Sequence, residues 1–127
     1  MPSMFPEAFG MVAAEAAAAG ALPISAGHSG LAEVAAILGE KLPLQVRSLL
    51  TFERGMRAVE DLAQSIIGWL ELDQRMRTSA RAALARTAAD RFGWEAVAEN
   101  VVNAAKGRVA VLEPVPGAVP FARAGEP

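Results

Sequence analysis

Two acidic side chains interrupt the amino-terminal stretch FPEAFGMVAAEAAAAG, residues 5–20, which is otherwise apolar and rich in alanine. These are Glu7 and Glu15, eight positions apart. A carboxylate among apolar residues loses hydration, so it normally persists only where it reaches solvent, meets a partner or binds a ligand. The position of each glutamate relative to the surrounding helix decides between these roles.

The helix that carries Glu15 is predicted to begin near Phe9 and to stop at Gly20. Residues 8–19 are mostly strong helix formers, and Gly20 suits a left-handed terminator. Glu7 then lies on the entry loop, and Glu15 lies inside the helix, roughly 9 Å along its axis. The first turn leaves backbone N–H groups without helical partners, which favours an anion. The alternative is that Glu7 only complements the helix dipole and that Glu15 only reaches solvent.

A strand and a second helix are predicted next. The run ALPISAG, residues 21–27, is typical of a buried parallel strand, and HSGLAEVAAIL, residues 28–38, is typical of a helix capped by Ser29. The succession of helix, strand, glycine-bearing loop and helix predicts an α/β layer.

The segment PSMFPEAFGMVAAEAAAAGALPISAGHSGLAEV, residues 2–34, resembles the donor-site motif of the retaining, two-domain (GT-B type) glycosyltransferases that include glycogen-synthase-like and mannosyltransferase-like enzymes. The shared features are a Pro-Ser, a Glu, a Phe-Gly, a second Glu eight residues after the first, a Gly with a Pro shortly after it, and a glycine-containing loop that ends in Glu. The later run RFGWEAVAENVV, residues 91–102, is similar to the closing helix of that family, which often carries Phe-x-Trp. The resemblance spans most of residues 1–106.

The resemblance assigns roles to individual residues. It implies that Glu7 lies beside the donor sugar as the catalytic residue and that Glu15 binds the ribose hydroxyls of the nucleotide. No metal ion and no cofactor is implied, because the nucleotide-sugar is the donor substrate. The family commonly has a glycine pair where this chain has Ser29 before a glycine. The further donor-binding residues implied are Phe9, Gly10, Met11, Val12 and Gly30.

The fold implied by the resemblance is α/β, with residues 1–106 as the carboxyl-terminal half of a Rossmann-like nucleotide-sugar-binding domain. Residues 107–127 are rich in proline and glycine and are predicted to be a disordered tail. A chain of 127 residues suffices for one domain, whereas members of the family have two. The expected partners are therefore a nucleotide-sugar, an unknown acceptor and a missing amino-terminal domain of the same polypeptide. The fragment alone is expected to be inactive, while the intact enzyme transfers a hexose with retention.

Downstream of residue 40 the sequence predicts one more strand and then helices. The strand is SLLTF, residues 48–52, and the helices are residues 57–71, 73–89 and 94–105, the first and third carrying apolar stripes at three and four spacing. Two alternatives to the transferase remain open. One is a mostly helical, non-catalytic domain that binds a partner chain through apolar surface, and the other is a fragment of a fold-related nucleotide-sugar epimerase.

Composition and charge exclude several classes of site. The chain has no cysteine and a single histidine, which excludes disulfides, thiolate metal sites and a metal site built from several histidines. Its net charge is −2, so no overall attraction to nucleic acid is expected. The predicted helix 73–89 carries four arginines and is interpreted as a solvated face, since no aromatic stacking set accompanies them. No transmembrane run and no signal peptide are recognised, so a cytoplasmic location is expected. The four arginines of the predicted helix 73–89 are Arg75, Arg77, Arg81 and Arg86.

Overall fold

The computed structural model describes residues 1–3 and 5–112. Most of these residues are helical, and the only regular strands among them are two pairs of residues. The elements in chain order are α1 (Met11–Ala18), β1 (Ser25–Ala26), α2 (Ser29–Gly39), α3 (Leu44–Arg47), β2 (Thr51–Phe52), α4 (Ala58–Glu71), α5 (Gln74–Phe92) and α6 (Trp94–Ala105), followed by a 3-10 turn at Val109–Val111.

The predicted α/β fold, the carboxyl-terminal half of a Rossmann-like domain, is wrong for the described residues. β1 and β2 are parallel neighbours, with Ser25 opposite Thr51 and Ala26 opposite Phe52, and no larger sheet forms there. Pro23 has no N–H to donate, which limits pairing on the amino-terminal side of β1.

The second predicted strand is shortened because the turns after α3 use its first residues. The N–H of Leu49 donates to the carbonyl of Val46 at 3.0 Å, and the N–H of Leu50 donates to Arg47 at 3.2 Å. Only the last two residues of SLLTF therefore pair with β1. A hydrophobic run of five residues was too short to distinguish a strand from a buried turn.

The predicted helices are confirmed, with shifts of one to three residues at most of their ends. α4, α5 and α6 match the predicted ranges 57–71, 73–89 and 94–105 closely. α1 begins at Met11 rather than near Phe9, because Gly10 adopts φ 87° and is the residue before the first helical turn. Gly20 terminates α1 as predicted, with φ 74°, and the bonds from Gly20 N–H to Ala17 and from Ala21 N–H to Ala16 complete a Schellman motif.

The core lies where α1, α2 and α5 meet beneath the small sheet. α1 contributes Ala13, Ala14 and Ala17, whose small side chains let it pack closely against α5. α5 begins after Asp73, whose carboxylate accepts the N–H of Met76 at 2.8 Å. In contrast, α6 buries none of its residues.

No helix within residues 1–3 and 5–112 is long and apolar enough to cross a membrane.

Candidate functional site

The loop that carries Glu7 is held against the start of α2. The N–H of Gly30 donates to the carbonyl of Glu7 at 2.9 Å, and the N–H of Glu7 donates to the hydroxyl of Ser29 at 3.0 Å. Gly30 permits this approach because a Cβ there would lie 2.6 Å from backbone atoms of both Ala8 and Phe9. Two parts of the motif that are 22 residues apart in the sequence thus form one contact.

Ser29 and His28 form a small hydrogen-bonded unit beside this contact. The Nε2 atom of His28 lies 3.0 Å from the carbonyl oxygen of Ser3, which can only accept, so Nε2 carries the proton. The Ser29 hydroxyl lies 3.0 Å from Nδ1 of the same ring and also accepts the N–H of Glu7. The unit therefore holds two main-chain segments, at Ser3 and at Glu7, against the start of α2.

The predicted cap at Ser29 is wrong. His28 is the residue that precedes α2, and the Ser29 hydroxyl makes no cap bond to its own helix. Ser29 instead has φ 48°, a left-handed conformation that is uncommon for a residue with a side chain. Serine suits both an N-cap and a loop acceptor, and the partner that selects the second role is remote in sequence.

The amino-terminal end of α1 has the geometry of an anion-binding helix end. Within the described residues, no side chain caps it, and the N–H groups of Met11 and Val12 have no acceptor. Gly10 is buried, and a Cβ added at this position would lie 2.8 Å from the Leu31 side chain. Glycine is therefore needed here both for packing against α2 and for the positive φ. The side chains of Met11 and Val12 are both exposed.

Glu15 lines a groove to which Glu7 does not contribute. Glu15 is exposed, and the groove, of about 270 Å³, lies between α1 and the junction of α5 with α6. Phe9 and Met11 line the same groove, and the Phe9 ring makes an edge contact with Phe92, with centroids 5.5 Å apart. Trp94, although exposed, also lines this groove.

The predicted site residues therefore form two groups. Phe9, Met11 and Glu15 share the groove, while Glu7 and Gly30 meet at the start of α2. Gly10 and Val12 belong to the amino-terminal end of α1 and alternate in the sequence with Phe9, Met11 and Glu15.

The amino group of Met1 is the group near Glu7 whose titration is perturbed. It donates to the carbonyl of Ile24. Burial lowers the pKa of this amino group, and the nearby Glu7 carboxylate raises it by a smaller amount. Glu7 itself is half-buried, so part of its side chain remains accessible to a small ligand.

No group of three or more potential metal-ligating side chains occurs in the part of the chain that the structure describes. Comparisons with protein-family models, with curated proteins and with solved structures found no match for this chain.

Proposed function

We propose that this chain forms one wall of the donor site of a retaining glycosyltransferase and binds a nucleotide-sugar. The observation that carries the proposal is the contact between the two motif segments, in which Gly30 and Ser29 each bond to the main chain of Glu7. A loop fixed at both its N–H and its carbonyl presents its side chain in a defined place, as a reacting group requires.

The free end of α1 supports binding of the diphosphate. The N–H groups of Met11 and Val12 are unpaired among the described residues, and a helix amino terminus carries partial positive charge. An anion there gains hydrogen bonds without displacing any the protein already makes. The same end would stabilise the negative charge that develops on the leaving nucleoside diphosphate as the bond to the sugar breaks.

The two glutamates then take separate roles. Glu15 is exposed on the groove side of α1, where its carboxylate is available to accept hydrogen bonds from two ribose hydroxyls. Glu7 lies on the fixed loop, where a carboxylate stabilises the positive charge that develops at the anomeric carbon. Glu15 therefore contributes to ground-state binding, and Glu7 contributes mainly to the transition state.

The binding step can be tested on the 127-residue chain by titrating it with uridine, guanosine and adenosine diphosphates and observing amide resonances. We expect affinity in the millimolar range, about −4 kcal/mol, for at least one nucleotide. Glu15→Gln keeps the side-chain shape but weakens charge-assisted bonds, which costs roughly 1.5 to 3 kcal/mol and at least about tenfold in affinity. The matched control is Glu99→Gln on exposed α6, which should leave affinity unchanged.

The role of Glu7 is tested by measuring kcat for sugar transfer in a preparation of the intact enzyme. Glu7→Gln should lower kcat more than it lowers nucleotide affinity, because the carboxylate acts mainly in the transition state. Nucleotide affinity that is unchanged in Glu15→Gln, together with turnover that is unchanged in Glu7→Gln, would refute the donor-site proposal. That result would favour the alternative of a non-catalytic interaction domain.

A further inference from the structure

A second recess lies at the opposite end of α1 from the proposed donor wall. It has a volume of about 690 Å³ and joins the end of α1, the segment before β1, α4 and α5. We call it the Arg77–Arg81 recess. Its lining residues are Gly20, Ala21, Leu22, Trp69, Gln74, Arg77, Thr78 and Arg81.

Arg81 is fixed in this recess by the end of α1. Its Nε donates to the carbonyl of Gly20 at 2.7 Å. The bond uses one of the five N–H donors of the guanidinium and leaves the four on its terminal nitrogens. Arg81 is thus oriented before any ligand arrives, which reduces the entropy lost on binding.

Arg77 lies one helical turn before Arg81 and brings a second positive charge to the same side of α5. Within the described residues, no carboxylate forms a salt bridge with either arginine. Like charges at this spacing repel one another. An anion bound between them would remove that repulsion.

The rest of the recess suits a phosphate attached to an organic group. Gln74 and Thr78 are neutral hydrogen-bond donors near the amino-terminal end of α5, where the helix dipole also favours an anion. Trp69 and Leu22 are half-buried and give the recess an apolar side. The nearest acid in the sequence, Asp73, is not part of the lining, and its carboxylate accepts the N–H of Met76.

We propose that the Arg77–Arg81 recess binds a small phosphate monoester, with the phosphate between the two arginines and a ring or apolar group against Trp69. The arginines supply charge-assisted hydrogen bonds, which are the strongest kind available to a phosphate. The volume lies within the usual range for small-molecule sites, roughly 300 to 1,000 Å³. This site is separate from the donor wall and does not depend on the proposed transferase function.

The fluorescence of Trp69 provides a direct readout. The chain has two tryptophans, and the other, Trp94, is 82% exposed, so Trp94→Phe leaves a single reporter in the recess with little cost to packing. In this background, phenyl phosphate should change the Trp69 emission saturably, and inorganic phosphate should bind more weakly. Phenol at the same concentrations and ionic strength should have no saturable effect.

Arg77→Gln identifies the site, because the Arg77 guanidinium makes no hydrogen bond or salt bridge to lose within the described residues. It should weaken phenyl phosphate binding by about tenfold or more. Thr78→Ala, at an exposed position, should weaken binding by a smaller factor. The matched control is Arg86→Gln, an exposed arginine on the same helix that does not line the recess, and it should leave binding unchanged.

Three results would each overturn the proposal. The first is no saturable signal with phenyl phosphate up to about 10 mM. The second is equal loss of binding in Arg77→Gln and Arg86→Gln, which would indicate general charge attraction. The third is a response to phenol equal to that with phenyl phosphate, which would show that the arginines take no part.

Discussion

Replacing Gly30 with alanine tests the contact on which the proposed donor wall depends. The new Cβ would lie 2.6 Å from the carbonyl carbon and oxygen of Ala8 and from the Cα of Phe9. These are backbone atoms, so the entry loop must move as a whole. That movement breaks the bonds that Glu7 makes with Gly30 and Ser29, at 2.9 and 3.0 Å.

The expected cost follows from these two bonds. At about 0.5 to 1.5 kcal/mol each, their loss lowers the free energy of unfolding by about 1 to 3 kcal/mol. Exchanging glycine for alanine in a helix returns at most about 1 kcal/mol. With the full ~1 kcal/mol returned, the net loss is at most about 2 kcal/mol, and crowding of the new Cβ against backbone atoms adds to it. Nucleotide affinity at the α1 end should fall as well, because the displaced loop leads directly into Gly10 and α1.

Gly27→Ala is the matched control for this experiment. Gly27 lies three residues earlier, in the loop between β1 and α2, and a Cβ there would lie no closer than 3.4 Å to its neighbours, an ordinary van der Waals distance. With a urea m-value near 1 to 2 kcal/mol/M, the Gly30→Ala midpoint should fall by roughly 1 M, while the Gly27→Ala midpoint should hardly move. Equal midpoints for the two variants would refute the argument that Gly30 is needed for the approach of the loop.

Two further predictions concern stability alone. Thr87 is buried, and its hydroxyl has no hydrogen-bond partner among the described residues. Thr87→Val should therefore raise the free energy of unfolding by about 1 kcal/mol, whereas Thr78→Val at an exposed position should not raise it. A lower stability of Thr87→Val in urea denaturation would contradict this prediction. Burial lowers the pKa of the Met1 amino group below its ordinary value of about 8. Between the lowered pKa of the folded chain and the ordinary pKa of the unfolded chain, the unfolded chain binds more protons than the folded chain. The free energy of unfolding should therefore increase as the pH is raised through this window and decrease as the pH is lowered through it. Acetylation of the amino group should remove that dependence, and an unchanged slope after acetylation would contradict the assignment to Met1.

The helices were predictable because their signals are local. The apolar spacing of α4 and α6 and the position of Gly20 after α1 depend on residues within a few turns of one another. The sheet was not predictable in the same way. Its length depends on where the turns after α3 end and on the missing N–H of Pro23, and both act through pairing between distant segments.

In the candidate site, too, features set by nearby residues were predictable, and features set by distant contacts were not. The free N–H groups at the start of α1 follow from the sequence, although the actual first residue is set by the left-handed Gly10. The left-handed conformation of Ser29 and its bond to Glu7 depend on a contact between residues 22 positions apart. A local capping pattern contains no information about such a contact.

The amino-terminal residue also completes the surroundings of β1. The amino group of Met1 bonds to the carbonyl of Ile24, and the N–H of Ala26 bonds to the carbonyl of Met1, which is the pattern of a parallel bridge on the edge of β1 opposite β2. The N–H groups of Ser25 and Gly27 point the other way, to Leu50 and Phe52. Along β1, successive amides are therefore protected from hydrogen exchange by two different segments in turn, the segment that contains β2 and the residue Met1. Loss of Met1 would open the amide of Ala26 to solvent while its two neighbours continued to exchange slowly.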